Sequence, residues 1–267
     1  MKKAIFYHHI LEAAEQTGRS VEEILAEAKK AGFDGVECDV RQFEKAPDEF
    51  MALLEKTGLV ISSVCKYFDF GHKTDREEIE AYLDLLVKVK VKKTLIIPGF
   101  FDENSDREKE TARIVEALKL VCELAEKRGI TVTLEDYDDA PSPCSTMGGL
   151  KHFMDEVPGL KFTLDTGNFR YSCEDVLEAY DLLGDRLGHV HLKDRSELPM
   201  TEGDGGPKAL DGKTLYPAPV GSGYIPIEEC IRRTREDGYD DWYTAEHFGS
   251  VDMLGYIRQS ARFLAAF

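Results

Sequence analysis

The sequence predicts an α/β fold of the (β/α)8 TIM-barrel class, formed as a single domain over residues 1–267. Segments with helical periodicity end near a glycine and are followed by short apolar runs, as in EAKKAGFDGVECD and CELAEKRGITVTLED. This unit recurs along the whole chain, and strict alternation of helix and strand is typical of a parallel sheet. A doubly wound open sheet is the alternative, but no glycine-rich phosphate loop supports it.

The predicted elements follow one another at regular intervals. Eight runs rich in Val, Ile, Leu, Thr and Phe predict strands buried on both faces, near residues 4–8, 34–39, 59–65, 93–98, 130–135, 160–165, 187–193 and 241–246. Eight helical segments lie between or after them, near residues 20–31, 47–57, 75–91, 106–128, 146–156, 174–183, 226–237 and 250–265. Eight such repeats in a chain of this length match a closed barrel.

Two further local signals concern helix starts and one long connection. Ser20 followed by Glu23 indicates a capping box, and Ser172 or Cys173 is the expected N-cap of the helix near 174–183. The connection over residues 194–225 is rich in Gly, Pro and charged residues. A loop of this length in a compact domain is a lid, a binding loop or a partly disordered segment, and we expect a lid over the barrel mouth.

Composition and charge exclude several classes of partner. The net charge of −17 argues against nucleic acid and against an anionic membrane surface, because both need a basic face. No apolar run approaches the roughly 20 residues that span a membrane, and the first residues do not resemble a secretory signal. The six cysteines form no C-x-x-C pair, so we expect reduced thiols and a cytoplasmic protein.

Four successive predicted strands end in residues that could bind a metal ion. Glu135 ends the fifth strand, Asp165 the sixth, His191 the seventh and Glu246 the eighth. The carboxyl ends of barrel strands meet at one rim, so these side chains should converge. Each residue alone could be a helix cap, a loop residue or a core histidine. Together, three carboxylates and an imidazole suit one divalent cation, Mn²⁺ by preference, with Mg²⁺, Co²⁺ or Zn²⁺ as alternatives.

Several motifs carry a resemblance to a known family. They are GFDGVE (32–37), the PG pair (98–99), LEDYD (134–138), LDTGN (164–168), HLKD (191–194) and AEH (245–247). Over nearly its whole length the chain resembles the sugar phosphate isomerase/epimerase group of xylose isomerase-like TIM barrels. The resemblance implies that Glu135, Asp165, His191 and Glu246 are the metal ligands. It also implies that the protein could form dimers or tetramers.

The chain departs from two subgroups of that family. The extra histidine ligands of the endonuclease-like members are absent, and the negative charge does not suit DNA. Ketose 3-epimerases carry a second glutamate and a histidine where this chain has Pro141 and Asn168. The substrate contacts therefore differ from those of a simple ketose 3-epimerase.

The expected reaction is isomerisation or epimerisation of a small carbohydrate or keto-polyol by proton transfer through a metal-stabilised enediolate. Glu135 and Glu246 are the acid/base candidates. A lyase on the same site is the alternative, either an inosose-type dehydratase or an enzyme that cleaves a 3-keto-glycoside by β-elimination. A non-catalytic sugar-binding barrel is a third, more remote one.

Other residues of the rim are candidates for substrate contact. Lys193 lies two residues after His191 and should point inward, where it binds substrate or forms a salt bridge to Glu37 or Asp194. Lys66, which ends the third strand, is a further candidate, although a solvated loop lysine is the alternative. The remaining candidates are His8 at the end of the first strand, Asn168, Arg195 and, near the mouth, Cys65.

Overall fold

A computed structural model describes all residues, 1–267. Eight parallel strands form a closed barrel. They are β1 (Lys2–Phe6), β2 (Gly35–Asp39), β3 (Val60–Tyr67), β4 (Lys93–Ile97), β5 (Thr131–Leu134), β6 (Lys161–Asp165), β7 (Leu187–Ser196) and, after the short β8 (Tyr216–Ala218), β9 (Trp242–Glu246). Each strand pairs with the next, and β9 pairs with both β7 and β1, which closes the barrel. The predicted (β/α)8 fold is confirmed.

Nine α-helices surround the strands. They are α1 (Tyr7–Thr17), α2 (Val21–Ala31), α3 (Pro47–Thr57), α4 (Arg76–Lys88), α5 (Arg107–Glu126), α6 (Met147–Glu156), α7 (Val176–Leu183), α8 (Ile227–Glu236) and α9 (Met253–Leu264). One hydrophobic core of 63 buried residues joins the helices to the outer face of the strands. None of the helices combines the length and the apolar composition that a membrane span requires.

The start of the chain differs from the prediction. Strand β1 ends at Phe6, and helix α1 begins at Tyr7 and ends before Gly18, which has a φ of +67°. The residue before α1 is Phe6, whose side chain makes no capping hydrogen bond, so the usual start signal is absent. His8 consequently lies on a helix and not at the end of a strand, and its prediction as a strand residue is wrong.

One of the two predicted helix caps is observed, and the other is not. Ser20 and Glu23 form the expected capping box at the start of α2. Helix α7 is capped by Asp175, whose side chain accepts hydrogen bonds from the backbone N–H groups of Leu177 and Glu178. The expectation of Ser172 or Cys173 as this cap is therefore wrong. An aspartate two or three residues further on satisfies the same N–H groups equally well.

The long connection after β7 is a structured segment. Strand β7 continues to Ser196, and β8 pairs with it in antiparallel orientation. The Asp194 carboxylate accepts hydrogen bonds from the backbone N–H groups of Gly221, Gly223 and Ile225, and so fixes the return of the segment to the barrel. Pro207, from the middle of the segment, lies at the mouth of the barrel cavity. All six cysteines are free thiols.

Candidate metal centre and active site

A cavity of about 820 Å³ opens at the carboxyl ends of the barrel strands. Its polar wall contains Glu135, Asn168, Lys193, Arg195 and Glu246, all of which the sequence analysis selected. The remaining wall combines apolar and aromatic side chains with further polar ones: Phe6, Leu11, Cys65, Leu95, Ile97, Tyr137, Pro207 and Phe248, and His8, Asp39, Arg41, Gln42 and Asp138. A concave site with a few convergent polar groups on an apolar wall is typical of a small-molecule binding site.

The four predicted ligands lie together at the base of this cavity: Glu135 and Glu246 line its wall, and Asp165 and His191 are fully buried beneath it. Asp165 on β6 lies directly beside His191 on β7. Nδ1 of His191 is 2.8 Å from Oε2 of Glu135, 3.7 Å from Oε2 of Glu246 and 3.9 Å from Oδ2 of Asp165. The ligand atoms of Glu135, Asp165 and His191 all lie within 4.8 Å of one another. The structure therefore brings Glu135, Asp165 and His191 together, and Glu246 lies beside them.

Three of these atoms are buried and form no hydrogen bond of regular geometry, although the first and the last lie 2.8 Å apart: Oε2 of Glu135, Oδ2 of Asp165 and Nδ1 of His191. A buried polar atom without a partner costs about 1–3 kcal/mol, and native structures contain few of them. Here three such atoms converge on one another. Carboxylate oxygens and an imidazole nitrogen are ligands of divalent cations, so these residues fit a bound metal ion.

The LDTGN motif explains how Asp165 is oriented. After β6 the chain turns sharply, and Oδ1 of Asp165 accepts hydrogen bonds of 2.8 Å from the backbone N–H groups of Gly167 and Asn168. A Cβ atom at residue 167 would lie 2.6 Å from the carbonyl oxygen of Lys193, so only glycine fits there. These contacts fix one oxygen of Asp165 and leave Oδ2 to face His191.

Without a cation, the cluster is electrostatically unfavourable, because its carboxyl groups are buried close to one another. Burial raises the pKa of Glu135, and burial together with Glu246 and Glu135 raises the pKa of Asp165 to about 8. Burial opposes protonation of His191, but Glu37 and Glu135 outweigh it and hold the pKa of His191 well above its usual value. Glu135 and Asp165 therefore retain protons more readily than ordinary carboxylates do.

Lys193 reaches into the cavity beside the cluster. Its Nζ lies 2.5 Å from Oε1 of Glu246, 2.6 Å from Oδ1 of Asn168 and 3.6 Å from Oδ2 of Asp138. Burial opposes the charge, but Asp138 and Glu246 outweigh it and raise the pKa of Lys193. The expected alternative of a salt bridge to Glu37 or Asp194 is wrong, because the ammonium group pairs with Glu246.

Arg195 and His8 occupy the outer part of the cavity. Arg195 is almost fully buried and donates to Oδ2 of Asp138 at 2.7 Å and to the backbone oxygen of Leu215. His8, on α1, is half exposed and lies 3.5 Å from Glu12. Both residues line the cavity, so both could contact a bound molecule there.

Lys66 is not brought to this site. Its Nζ lies 3.1 Å from Glu78 on α4 and 4.8 Å from the ring centroid of Phe68. The side chain therefore points outward between β3 and the helix layer. Its neighbour Cys65 points the opposite way, as expected in a strand, and lines the cavity. The prediction that Lys66 contacts substrate is not supported by its position.

A second cluster of buried ionisable groups, the lower cluster, lies below the first and was not predicted from the sequence. Glu37, in the middle of β2, accepts hydrogen bonds from Nε2 of His189 at 2.8 Å and Nε2 of His191 at 3.2 Å. The hydroxyl group of Thr244 donates to the same carboxylate, and Lys93 approaches Nδ1 of His189. The available signal was a glutamate inside an apolar strand, in GVECD, and the alternating histidines in HVHLKD.

Comparison with solved structures shows the same fold in proteins of low sequence identity. The probable 3-DHS dehydratase AsbF of Bacillus anthracis, involved in petrobactin synthesis, is 20% identical, with a TM-score of 0.75 and 99% of each chain covered. D-psicose 3-epimerase of Clostridium cellulolyticum H10, solved with D-tagatose, is 19% identical, with a TM-score of 0.74; the match covers 100% of this chain and 98% of that one.

The IOLI protein, solved with a bound zinc atom, is a third similar structure. It is 16% identical, with a TM-score of 0.74, and the match covers 100% of this chain and 97% of that chain. No curated protein sequence matches this chain significantly. The family model described as "Xylose isomerase-like TIM barrel" matches residues 25–267, which is nearly the whole sequence. The chain therefore belongs to the family of xylose isomerase-like TIM barrels.

Proposed function

We propose that the protein is a divalent-metal-dependent isomerase or epimerase of a small carbohydrate or keto-polyol. The observation that carries this proposal is the convergence of three potential ligand atoms, from Glu135, Asp165 and His191, which form no regular hydrogen bond and lie directly beneath a cavity. Glu246 completes the set of ligands. The fold is also that of proteins described as a sugar epimerase and a dehydratase, which supports chemistry next to a carbonyl group.

The four ligands and the residues around them have separate roles in this proposal. A divalent cation in the site would polarise the carbonyl and hydroxyl oxygens of a keto-sugar and make the C–H group between them more acidic. Glu135, directly after β5, and Glu246, at the end of β9, lie at the cavity wall, where each could accept or return that proton. Lys193 and Asn168 would bind substrate hydroxyl groups. Arg195 and His8 would contact the outer part of the substrate.

The charge of the site favours an uncharged substrate. Five carboxyl groups surround the cluster, those of Glu135, Asp136, Asp138, Asp165 and Glu246. Burial and Asp165 hold the pKa of Asp136 well above its usual value, so it keeps its proton and four carboxylates remain, while Lys193 and Arg195 provide two positive charges. A divalent cation would balance the remaining two negative charges. No unpaired basic group is then left for a phosphate, so a keto-sugar or polyol without a phosphate group is the better substrate class.

The first experiment is a metal analysis of the purified chain by mass spectrometry, beside a His191→Ala, Glu246→Gln double variant. We expect about one equivalent of a divalent metal in the native chain and much less in the variant. Keto-sugars and inososes would then be screened with that metal, and proton exchange into the substrate followed by NMR. If neither chain holds metal after incubation with excess Mn²⁺, the assignment of ligands is wrong.

A lyase on the same site is the second candidate, and the size of the cavity favours it. About 820 Å³ is more than a single sugar ring requires, and Pro207 of the long segment extends the wall outward. A larger substrate, such as a keto-glycoside cleaved by β-elimination, would fill that space. Elimination creates a conjugated carbonyl group with new ultraviolet absorbance, which isomerisation and epimerisation do not. Binding of sugars without any turnover would instead indicate a non-catalytic barrel.

A further inference from the structure

Each hydrogen bond of the lower cluster has one possible donor and one possible acceptor, and the assignment starts from Lys93. The ammonium group of Lys93 is 2.8 Å from Oδ2 of Asp241 and 3.3 Å from Nδ1 of His189. A lysine ammonium group can only donate, so Nδ1 of His189 must accept. The proton of neutral His189 is then on Nε2, which lies 2.8 Å from Oε2 of Glu37 and donates to it.

Glu37 receives donors on both of its oxygens. Besides His189, the hydroxyl group of Thr244 lies 2.8 Å from Oε2, and Nε2 of His191 lies 3.2 Å from Oε1. Glu37 is completely buried, and neither of its oxygens lacks a partner. An ionised carboxylate accepts hydrogen bonds only, so Nε2 of His191 must carry a proton.

These hydrogen bonds determine which nitrogen of His191 can bind a metal ion. With Nε2 protonated and bonded to Glu37, the only nitrogen that can offer a lone pair to a cation is Nδ1. Nδ1 is the atom that lies among the oxygens of Glu135, Asp165 and Glu246. The imidazole is held at Nε2, and Nδ1, on the side of the cavity, is free to bind metal.

We propose that Glu37 is a positioning residue of the metal centre, which fixes the tautomer and ring orientation of His191, and that His189 in turn holds Glu37. This inference rests on the proposed metal-dependent function. It assigns a role to residues that lie below the cavity and do not line it. Hydrogen-bond partners of metal-bound histidines commonly change metal affinity by about 10- to 100-fold when they are replaced.

The test compares Glu37→Gln with Glu110→Gln as a matched control. Glu110 is also a buried glutamate, with 3% of its surface exposed, but it lies on α5. Mn²⁺ affinity is measured by calorimetry on each chain after metal removal. We expect Glu37→Gln to weaken Mn²⁺ binding by about 10- to 100-fold and Glu110→Gln by less than about twofold. Equal affinities for wild type and Glu37→Gln would overturn the proposal.

A spectroscopic measurement separates positioning from a general loss of structure. In the Zn²⁺-loaded wild type, ¹⁵N NMR of the histidine side chains should show a slowly exchanging proton on Nε2 of His191. Glu37→Gln should shift that resonance or speed its exchange, whereas Glu110→Gln should leave it unchanged. An unchanged resonance in Glu37→Gln would mean that Glu37 does not hold the ring.

A second pair of variants covers the case in which Glu37→Gln does not fold. His189→Gln retains an N–H group that can donate to Glu37, and His189→Leu removes it. We expect the glutamine variant to bind Mn²⁺ within about threefold of wild type and the leucine variant about tenfold more weakly. Equal affinities in the two variants would overturn the role of His189. If wild type itself binds no Mn²⁺, the proposed function fails and this inference fails with it; a failure confined to the variants leaves the proposed function intact.

Discussion

Two layers of buried ionisable groups lie inside the barrel and share His191, yet they are built in opposite ways. The upper layer consists of Glu135, Asp165 and Glu246 around Nδ1 of His191, and three of its atoms form no hydrogen bond of regular geometry. The lower layer consists of Glu37, His189, Thr244 and Lys93 below Nε2 of the same ring, and its charged groups are paired. The same barrel interior thus holds one satisfied and one unsatisfied polar network.

The difference shows that burial alone does not decide the state of a carboxylate. Glu37 and Asp165 are both completely buried, and burial raises the pKa of each. For Glu37, His191 and His189 outweigh burial and bring its pKa well below the usual value. Asp165 faces further carboxylates, and its pKa rises to about 8. An unsatisfied network persists in a native fold when something outside the chain completes it, and here a cation would do so.

The largest expected effect comes from Asp165→Asn, which changes the upper layer alone. The amide oxygen can still accept the hydrogen bonds from Gly167 and Asn168, so the turn after β6 should persist. Loss of a charged ligand should weaken Mn²⁺ binding by more than about 100-fold, measured by calorimetry. The melting temperature of the metal-free variant should equal or exceed that of wild type, because a buried carboxyl group among like charges has been removed.

A fall in the melting temperature of metal-free Asp165→Asn would contradict the comparison. It would mean that the upper layer stabilises the fold without a cation, as the lower layer does. Unchanged Mn²⁺ affinity would remove Asp165 from the set of ligands. The melting temperature and the Mn²⁺ affinity are measured on the same metal-free preparation, and each tests a different part of the comparison.

Lys193→Met should reduce turnover while leaving metal content near that of wild type. Lys193 contacts Glu246 and Asn168 in the cavity, but it is not a ligand. Removing a donor placed at a reacting group typically lowers kcat by about 10²- to 10³-fold, measured with the substrate found in the screen. Lys193→Arg keeps the charge and should recover part of the loss. Loss of metal in Lys193→Met would show that Lys193 acts by holding Glu246 in place.

The barrel itself could be predicted from the sequence because its signals are local and repeated. Apolar runs, six of them shortly after a glycine, located all eight barrel strands to within a few residues, and Pro47–Thr57 was predicted at its observed limits. Helix α1 was not predicted, because Phe6 provides no side-chain cap and the predicted first strand extended into the start of the helix. The short strand β8 was missed because its pairing with β7 depends on the fold of a long connection.

The upper layer of the site was also predictable, since strand ends in a parallel barrel meet at one rim. The lower layer was not predicted, because its contacts join residues far apart in sequence. Glu37 and His191 are separated by 154 positions, and only strand closure brings them to 3.2 Å. The predicted inward direction of the Lys66 side chain was also wrong. A strand residue points to one face or the other, and a change of one position reverses that face.

The affinity for Mn²⁺ should depend on pH through the upper layer. Without metal, Asp165 keeps its proton up to a pKa of about 8, and the pKa of His191 is raised by its acidic neighbours. A cation binds the deprotonated forms, so affinity should rise with pH between about 6 and 8, by about tenfold per pH unit for each displaced proton. Calorimetry in buffers of different ionisation enthalpy counts those protons. An affinity independent of pH would contradict the protonated upper layer.

The smallest expected effect on the metal centre comes from Lys93→Met, at the opposite end of the barrel. This change leaves Nδ1 of buried His189 without a donor and removes an ion pair of 2.8 Å with Asp241. Urea unfolding should show a loss of about 1–3 kcal/mol. Lys2→Met is the matched control, because Lys2 pairs with the same aspartate while more than half exposed, and it should cost less than about 1 kcal/mol. Mn²⁺ affinity should stay within about threefold of wild type in both variants, since Glu37 retains its bond to His191. A tenfold loss in Lys93→Met alone would show that the lower layer acts as one unit, whose orientation of the metal ligand depends on a charge at the far end of the barrel.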